Sequence, residues 1–183
     1  GGLLPTYAGE RGLSVQVVYA VASTPIRKLE LLDGLWHCGV KNYPAFLGMR
    51  DVFSGTLSKQ YKLWNHKHLQ DKIVEMLRRY QPEVLVTQDL NGEYGHGGHK
   101  AVSDSATQAV ELAADAKKFP ETAKEYGVWS VKKFYIHLYY GEDVTRMDWH
   151  QPLASFGGKD GFTVTTEALA CHKSQTKRGW EMT

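Results

Sequence analysis

Two short apolar runs limit the folds that this chain can adopt. Residues 14–21 read SVQVVYAV and residues 83–87 read EVLVT. Near-continuous runs of β-branched and apolar residues are typical of strands that are covered on both faces in a parallel sheet. The sequence therefore predicts two buried parallel strands, with 14–21 as the first of them.

Helical patterns alternate with these runs. Thr24 can cap a helix and Pro25 suits its first turn, and Leu29, Leu32 and Leu35 then recur at helical spacing. The same reasoning predicts further helices over 66–80, from about 97, and over 166–175, and further strands over 45–49 and 131–140. Such alternation predicts a single α/β domain over 1–183, a Rossmann-like open sheet that is mostly parallel, with helices on both faces.

Composition excludes several functional classes. The net charge of this 183-residue chain is only +2, and its Lys and Arg residues are scattered along the sequence. Nucleic-acid binding requires a basic patch or stripe, so no nucleic-acid partner is expected. No apolar stretch approaches the ~20 residues of a membrane span, and a cytoplasmic location is favoured. No GxGxxG motif follows a strand, which argues against a dinucleotide-binding module.

The loop after the second apolar run carries the residues best suited to chemistry. Residues 93–99 read EYGHGGH, so His96 and His99 stand three positions apart at the entrance to a helix. Neutral imidazole binds zinc, and a catalytic zinc usually has three protein ligands and one open position. Two histidines alone do not complete such a site, and a turn with solvated histidines is the alternative. Ligands in open α/β sheets bind at the carboxyl ends of strands, where this loop and Arg27 are both expected.

Four segments carry a resemblance to one family. Residues 92–102 (GEYGHGGHKAV) resemble the second signature of the PIG-L (LmbE-like) N-acetyl-sugar deacetylases, a Gly-Glu-Tyr-Gly-His-x-x-His pattern that opens a helix. Residues 27–30 (RKLE) resemble the family's Arg-x-x-Glu helix start. Residues 1–12 resemble its Gly-Gly helix, and residues 168–175 (ALACHKSQ) resemble its late His-x-Ser-Gln helix. The four matches occur in the family's order.

The resemblance implies a hydrolysis, dependent on Zn²⁺ or another divalent metal, that removes the acetyl group from an N-acetylglucosamine-type sugar or glycoconjugate. It implies that His99 binds the metal and that His96 stabilises the oxyanion or protonates the leaving amine. Tyr94 resembles a tyrosine that turns toward the oxyanion, with a shielding aromatic lid as the alternative. Arg27 resembles the arginine that holds the substrate, with a surface ion pair as the alternative.

The family's first signature, His-Pro-Asp-Asp, is expected upstream of Gly1, where it would supply the remaining His and Asp ligands and a general base. The fragment alone is therefore expected to bind Zn²⁺ weakly or not at all and to be inactive. A central strand of the sheet is also expected to be missing, and to be supplied by further residues of the same polypeptide, a bound N-terminal segment or another chain in a homo-oligomer. The alternative function is a sugar-binding pseudoenzyme that lacks the first signature.

Overall fold

The computed structural model describes residues 2–22, 24–137 and 144–176. The chain forms two compact units, one built from the residues up to Phe46 together with those from Thr145, and the other from Leu47–Val144. The single domain over 1–183 remains a prediction. Within the described ranges no helix is both long and apolar enough to cross a membrane.

Seven α-helices and four strands are assigned in these ranges. The helices are α1 (Pro25–His37), α2 (Leu57–Trp64), α3 (His66–Tyr80), α4 (Gly97–Ala114), α5 (Pro120–Tyr126), α6 (Gly161–Ala170) and α7 (Lys173–Thr176). The strands are β1 (Val18–Tyr19), β2 (Ala45–Phe46), β3 (Val84–Thr87) and β4 (Lys133–Ile136). A π-helical segment, Pro5–Glu10, replaces the α-helix that the family resemblance implied near the start of the chain.

Helix starts follow the local sequence. Thr24 Oγ1 accepts a hydrogen bond from the Arg27 backbone N–H, so it caps α1 as expected. Thr56 does the same for α2 and Asn65 for α3. These side chains satisfy backbone donors that have no partner inside the helix, which fixes where each helix begins.

Strand pairing is parallel in both units. In the first unit β1 pairs with β2, and in the second β3 pairs with β4 over its full length, from Val84 opposite Lys133 to Thr87 opposite Ile136. The α/β class with parallel strands is therefore confirmed. The described strands form two separate two-stranded sheets, and the single open sheet with helices on both faces remains a prediction.

The prediction that both apolar runs form strands buried on both faces was wrong. Only Val18–Tyr19 of the run 14–21 is strand, and Val18 is exposed. In β3, Val84 is 48% and Val86 43% exposed, while the alternate residue Thr87 is buried. A two-stranded sheet covered on one face leaves every second side chain in solvent, because successive side chains point to opposite faces.

The core of the second unit is the packing of α3 against α4. Leucine, isoleucine and valine side chains on one face of α3 meet a row of small residues on α4. The α3 residues are Leu69, Ile73, Val74 and Leu77, and the α4 residues are Ala101, Ala109 and Ala113. Alanines let the two helices approach closely, so α4 is held along its length. Its first turn, which carries the histidines, is thereby fixed on a rigid element.

A buried arginine closes the far end of this packing. The Arg78 side chain is fully buried and donates six hydrogen bonds through its guanidinium group. Its acceptors are the carbonyl oxygens of Leu112, Ala113, Asp115, Lys118 and Phe119 and the hydroxyl of Thr122. The carbonyls at the end of a helix lack partners within it and carry partial negative charge, so the cation is well placed there.

Candidate active site

The imidazole loop, residues 88–99, connects the carboxyl end of β3 to the first turn of α4. Ser103 of α4 donates a hydrogen bond back to the Gln88 carbonyl, which ties the start of the loop to the helix. The loop therefore leaves the strand pair at the edge where ligands bind in parallel α/β sheets. This is the edge at which the sequence placed it.

The backbone of the loop turns through three left-handed residues. Gly92 has φ 70°, Tyr94 φ 59° and Gly95 φ 69°, and a short 3₁₀ turn spans Glu93–Gly95. Glycine adopts this region without a steric penalty, whereas tyrosine does so at a cost. Tyr94 is thus held in a strained conformation between two glycines that make the turn possible, and strain of this kind is concentrated at functional sites.

His96 is fixed as the N-cap of α4. Its Nδ1 accepts a hydrogen bond from the Gly98 backbone N–H at 2.9 Å. Since Nδ1 is an acceptor, the proton of the neutral ring belongs on Nε2. The His96 and His99 rings lie 5.4 Å apart between centroids, at an interplanar angle of 68°. The structure thus places the two imidazoles beside each other at the start of α4.

His99 is half-buried, and its Nδ1 atom is buried without a hydrogen-bond partner among the described residues. Burial lowers the pKa of His99, and neighbouring His96 acts in the same direction, while Glu93 opposes the shift. Below-normal basicity keeps the ring neutral near pH 7, which is the form that binds metals. An orphaned buried nitrogen needs a partner, and a metal ion is one group that could satisfy it.

Tyr94 lies beside His99 with its ring mostly in solvent. The two ring centroids are 6.1 Å apart with the rings nearly perpendicular, and Tyr94 is 74% exposed. Partial desolvation and the Glu93 carboxylate raise the pKa of Tyr94, so its hydroxyl remains protonated at neutral pH and can donate a hydrogen bond.

Sequence reasoning missed a pair formed by a carboxylate and an imidazole at this loop. His137 Nδ1 lies 3.2 Å from Glu93 Oε1, and the two residues are 44 positions apart in the chain. An ionised carboxylate only accepts hydrogen bonds, so the pair requires Nδ1–H on His137. The signal available was the strand predicted over 131–140, because the carboxyl ends of parallel strands lie at one edge of a sheet.

A second missed element is the loop between β2 and α2, residues 51–56. The Gly97 backbone N–H donates to the Ser54 carbonyl at 2.6 Å, and Ser54 Oγ donates to Gln60 Oε1 at 2.6 Å. A side chain at position 97 would overlap Ser54. Phe53 of this loop lies against His96, with ring centroids 5.0 Å apart at 78°. Nothing in the sequence pattern pointed to Phe53.

Arg27, the predicted substrate residue, belongs to the first unit and lies in the first turn of α1. One turn later, Glu30 is buried and accepts hydrogen bonds from both the backbone N–H and the hydroxyl of Ser174. These bonds hold the Ser174 hydroxyl and lower the pKa of Glu30. The Arg-x-x-Glu and late helix segments thus meet through Glu30, a contact that holds α1 to α7.

A complete metal site is not formed by the described side chains. Across residues 2–22, 24–137 and 144–176, no group of three or more His, Cys, Asp or Glu side chains could hold a metal ion. The unpartnered Nδ1 of His99 fits one ligand position. The other ligands of a zinc site would have to come from outside this set.

Comparison with known proteins gives a consistent family assignment. A family model described as "GlcNAc-PI de-N-acetylase" (PIG-L) matches residues 6–110, which is more than half of the chain and a span that contains the four candidate residues. Among curated proteins, the chain is 37% identical over 120 residues to a 1D-myo-inositol 2-acetamido-2-deoxy-alpha-D-glucopyranoside deacetylase 1 from Catenulispora acidiphila, covering 60% of this chain and 36% of that protein.

The 1D-myo-inositol 2-acetamido-2-deoxy-alpha-D-glucopyranoside deacetylase from Mycolicibacterium smegmatis is 31% identical over 135 residues, which covers 69% of this chain and 43% of its own length. A third, from Rhodococcus erythropolis, is 41% identical over 63 residues, 34% of this chain and 20% of that protein. The chain thus spans less than half the length of the curated relatives that it matches. With a strand, loop and helix that present the GEYGHxxH residues at a sheet edge, and a family match over 6–110, the chain belongs to the PIG-L family.

Proposed function

We propose that the protein of which this chain is part is a metal-dependent hydrolase that removes the acetyl group from an N-acetylglucosamine-type sugar. The observation that carries the proposal is the grouping of His96, His99 and Tyr94 at the carboxyl end of β3, in a chain of the PIG-L family. The curated relatives are named as deacetylases of a 2-acetamido-2-deoxyglucose joined to inositol, which supports the sugar class.

His99 is proposed as one ligand of a zinc ion. Its depressed pKa and unpartnered buried Nδ1 support this role, and the His and Asp of an upstream signature are the expected companions. Zinc, when bound, polarises a carbonyl and lowers the pKa of a water to about 7. The contribution of this chain is a neutral imidazole on the first turn of a packed helix.

His96 is proposed to donate a hydrogen bond from Nε2 to the oxygen of the acetyl carbonyl as negative charge develops on it. The cap bond from Gly98 N–H to Nδ1 supports this, because it leaves the proton of the neutral ring on Nε2. Donors fixed in advance toward a developing oxyanion contribute strongly to acyl transfer. With its proton on Nε2, the neutral His96 ring can donate a hydrogen bond to the oxyanion. It cannot take up a proton at that atom, so this tautomer favours oxyanion stabilisation over general-base catalysis.

Tyr94 and Arg27 are proposed in supporting roles. The raised pKa of the Tyr94 phenol keeps it a hydrogen-bond donor, so it can assist His96 at the same oxygen. Arg27 is proposed to hold sugar hydroxyls or a phosphate through its planar guanidinium fork. We also propose that the intact protein forms one Rossmann-like open sheet, with a homo-oligomeric partner or a bound N-terminal segment.

The deciding experiment measures acetate release from N-acetylglucosamine by the full-length protein, with zinc and with a chelator. The variant His99→Ala is expected to lose bound zinc and at least about a hundredfold in kcat/KM, since metal assistance supplies several kcal/mol. His68→Ala, an exposed histidine on α3, is the matched control and should retain both. Full zinc content and activity in His99→Ala would exclude the proposed site.

The same assay separates the enzyme from the pseudoenzyme. A protein that binds N-acetylglucosamine by calorimetry, but releases no acetate at any zinc concentration, would be a sugar-binding pseudoenzyme. Acetate release that depends on zinc and on His99 would establish the hydrolase.

A further inference from the structure

Phe53 is a large apolar side chain in an unusual position. It is 75% exposed, yet its ring packs edge-to-face on His96. Most of the ring surface is therefore offered to solvent directly beside the imidazole proposed to contact the acetyl oxygen. Apolar surface of this kind gains free energy when a ligand covers it.

The loop that carries Phe53 is anchored rather than free. Ser54, the next residue, is buried and bonded through its backbone to Gly97 and through its hydroxyl to Gln60. Lys100 Nζ donates a further hydrogen bond to the Gly55 carbonyl at 3.3 Å. The position of Phe53 relative to the imidazole loop is thus fixed by backbone contacts on its own side of the site.

Phe53 and Tyr94 stand at the two ends of one row of rings. The order is Phe53, His96, His99 and Tyr94, with successive centroid distances of 5.0, 5.4 and 6.1 Å. The two outer rings are exposed and the inner two are half-buried imidazoles. Two exposed aromatic rings that flank a pair of imidazoles combine apolar and polar groups, as the walls of small-molecule sites do.

We propose that Phe53 packs against the apolar face of the sugar ring while His96 contacts the acetyl group, so that it determines affinity for a pyranose over an open-chain acetamide. Aromatic side chains offer flat apolar area with little loss of conformational freedom, which suits the C–H face of a sugar. The inference rests on the proposed function, because the sugar it describes is the substrate of that site.

The test compares Phe53→Ala, Phe53→Leu and Phe53→Tyr in the full-length protein, with N-acetylglucosamine and N-acetylethanolamine as substrates. Phe53→Ala is expected to raise KM for N-acetylglucosamine about three- to tenfold with kcat little changed, the size of one aromatic contact. Phe53→Tyr should restore the KM and Phe53→Leu should not. For N-acetylethanolamine, which has no ring, kcat/KM should be the same in all variants.

Controls separate this inference from folding and from the proposed function. Tyr80→Ala removes a partly exposed ring at the C-terminus of α3, just before β3 begins, and should leave KM unchanged. Unchanged thermal unfolding of Phe53→Ala is expected, since the ring is exposed. If the unsubstituted protein releases no acetate, the proposed function fails. The inference about Phe53 is then tested with the Kd for N-acetylglucosamine, measured by calorimetry, in place of KM. Equal KM, or equal Kd, in Phe53→Ala and the unsubstituted protein overturns the inference.

Discussion

Gly97 leaves no room for a larger residue at the entrance to α4. A Cβ atom there would lie 2.8 Å from the Ser54 carbonyl oxygen and 2.9 Å from that of Thr56, both backbone atoms. Gly97→Ala is therefore expected to break the Gly97–Ser54 hydrogen bond and lower the free energy of unfolding by about 1–3 kcal/mol. Urea unfolding measures this, with Gly55→Ala as control because nothing lies near that position. Equal loss in both variants would contradict the steric argument.

Glu93 and His137 are expected to act as a pair. Glu93→Gln and His137→Gln each remove the charge-assisted hydrogen bond that holds the imidazole loop at the residue preceding Tyr94. Each should therefore lower kcat/KM for N-acetylglucosamine. The double variant should lose little more than either single one, because residues that share one bond are coupled. A double-mutant cycle on kcat/KM checks this, and additive losses would show that the two side chains act independently.

Among single residues, the motif loop was predictable and its neighbours were not. His96, His99 and Tyr94 lie within six positions of each other, so spacing and resemblance were sufficient to group them. Phe53 and His137 reach the loop from segments about 40 positions away on either side. Contacts across such separations depend on how helices and strands pack, and no local period encodes them.

At the scale of elements, Arg78 joins α3, α4 and α5. Arg78→Met is expected to lower the free energy of unfolding by at least about 3 kcal/mol, because six acceptors lose the donor that the buried guanidinium group supplies. Arg79→Met changes the neighbouring, exposed arginine and should have little effect. Chemical denaturation of both variants measures the difference, and similar midpoints would contradict the role of the guanidinium group.

The start of α6 should be sensitive to acid. Hydrogen bonds from Thr163 and His150 lower the pKa of Asp160 from 3.8 to about 2. A depressed carboxyl pKa stabilises the fold above the unfolded value and loses that contribution as pH falls through the folded one. The unsubstituted protein should therefore lose stability between about pH 4 and about pH 2, and Asp160→Asn should lose less over the same range. Urea unfolding at several pH values tests this; parallel losses would contradict it.

Local sequence determined some elements better than others. The helix expected over 66–80 is α3, since apolar residues recur on one face and Pro82 ends the pattern. The helix expected over 166–175 is instead two helices, α6 and α7, with a break at Cys171 and His172. Glu30 binds the backbone N–H and hydroxyl of Ser174 from 144 positions away, so the start of α7 depends on a partner that the local pattern does not contain.

At the scale of the whole molecule, the apolar runs and the exposed valines lead to a prediction. A Rossmann-like sheet with helices on both faces would cover Val86. In the full-length protein, Val86→Lys should therefore lower the free energy of unfolding by about 1–3 kcal/mol, whereas Val128→Lys, at an exposed valine in a loop, should not. In the 183-residue chain alone, both substitutions should be nearly neutral. Neutral Val86→Lys in the full-length protein would contradict the open-sheet prediction.

The hydrogen bond between Gly97 and Ser54 has a consequence for how this member of the PIG-L family could be re-engineered. Because backbone atoms make the bond, the side chain at position 53 can be exchanged while the imidazoles keep their places. A library restricted to position 53 would then sample new acetamides while the proposed metal and oxyanion residues keep their positions. Selectivity and turnover would be adjustable separately in such a library.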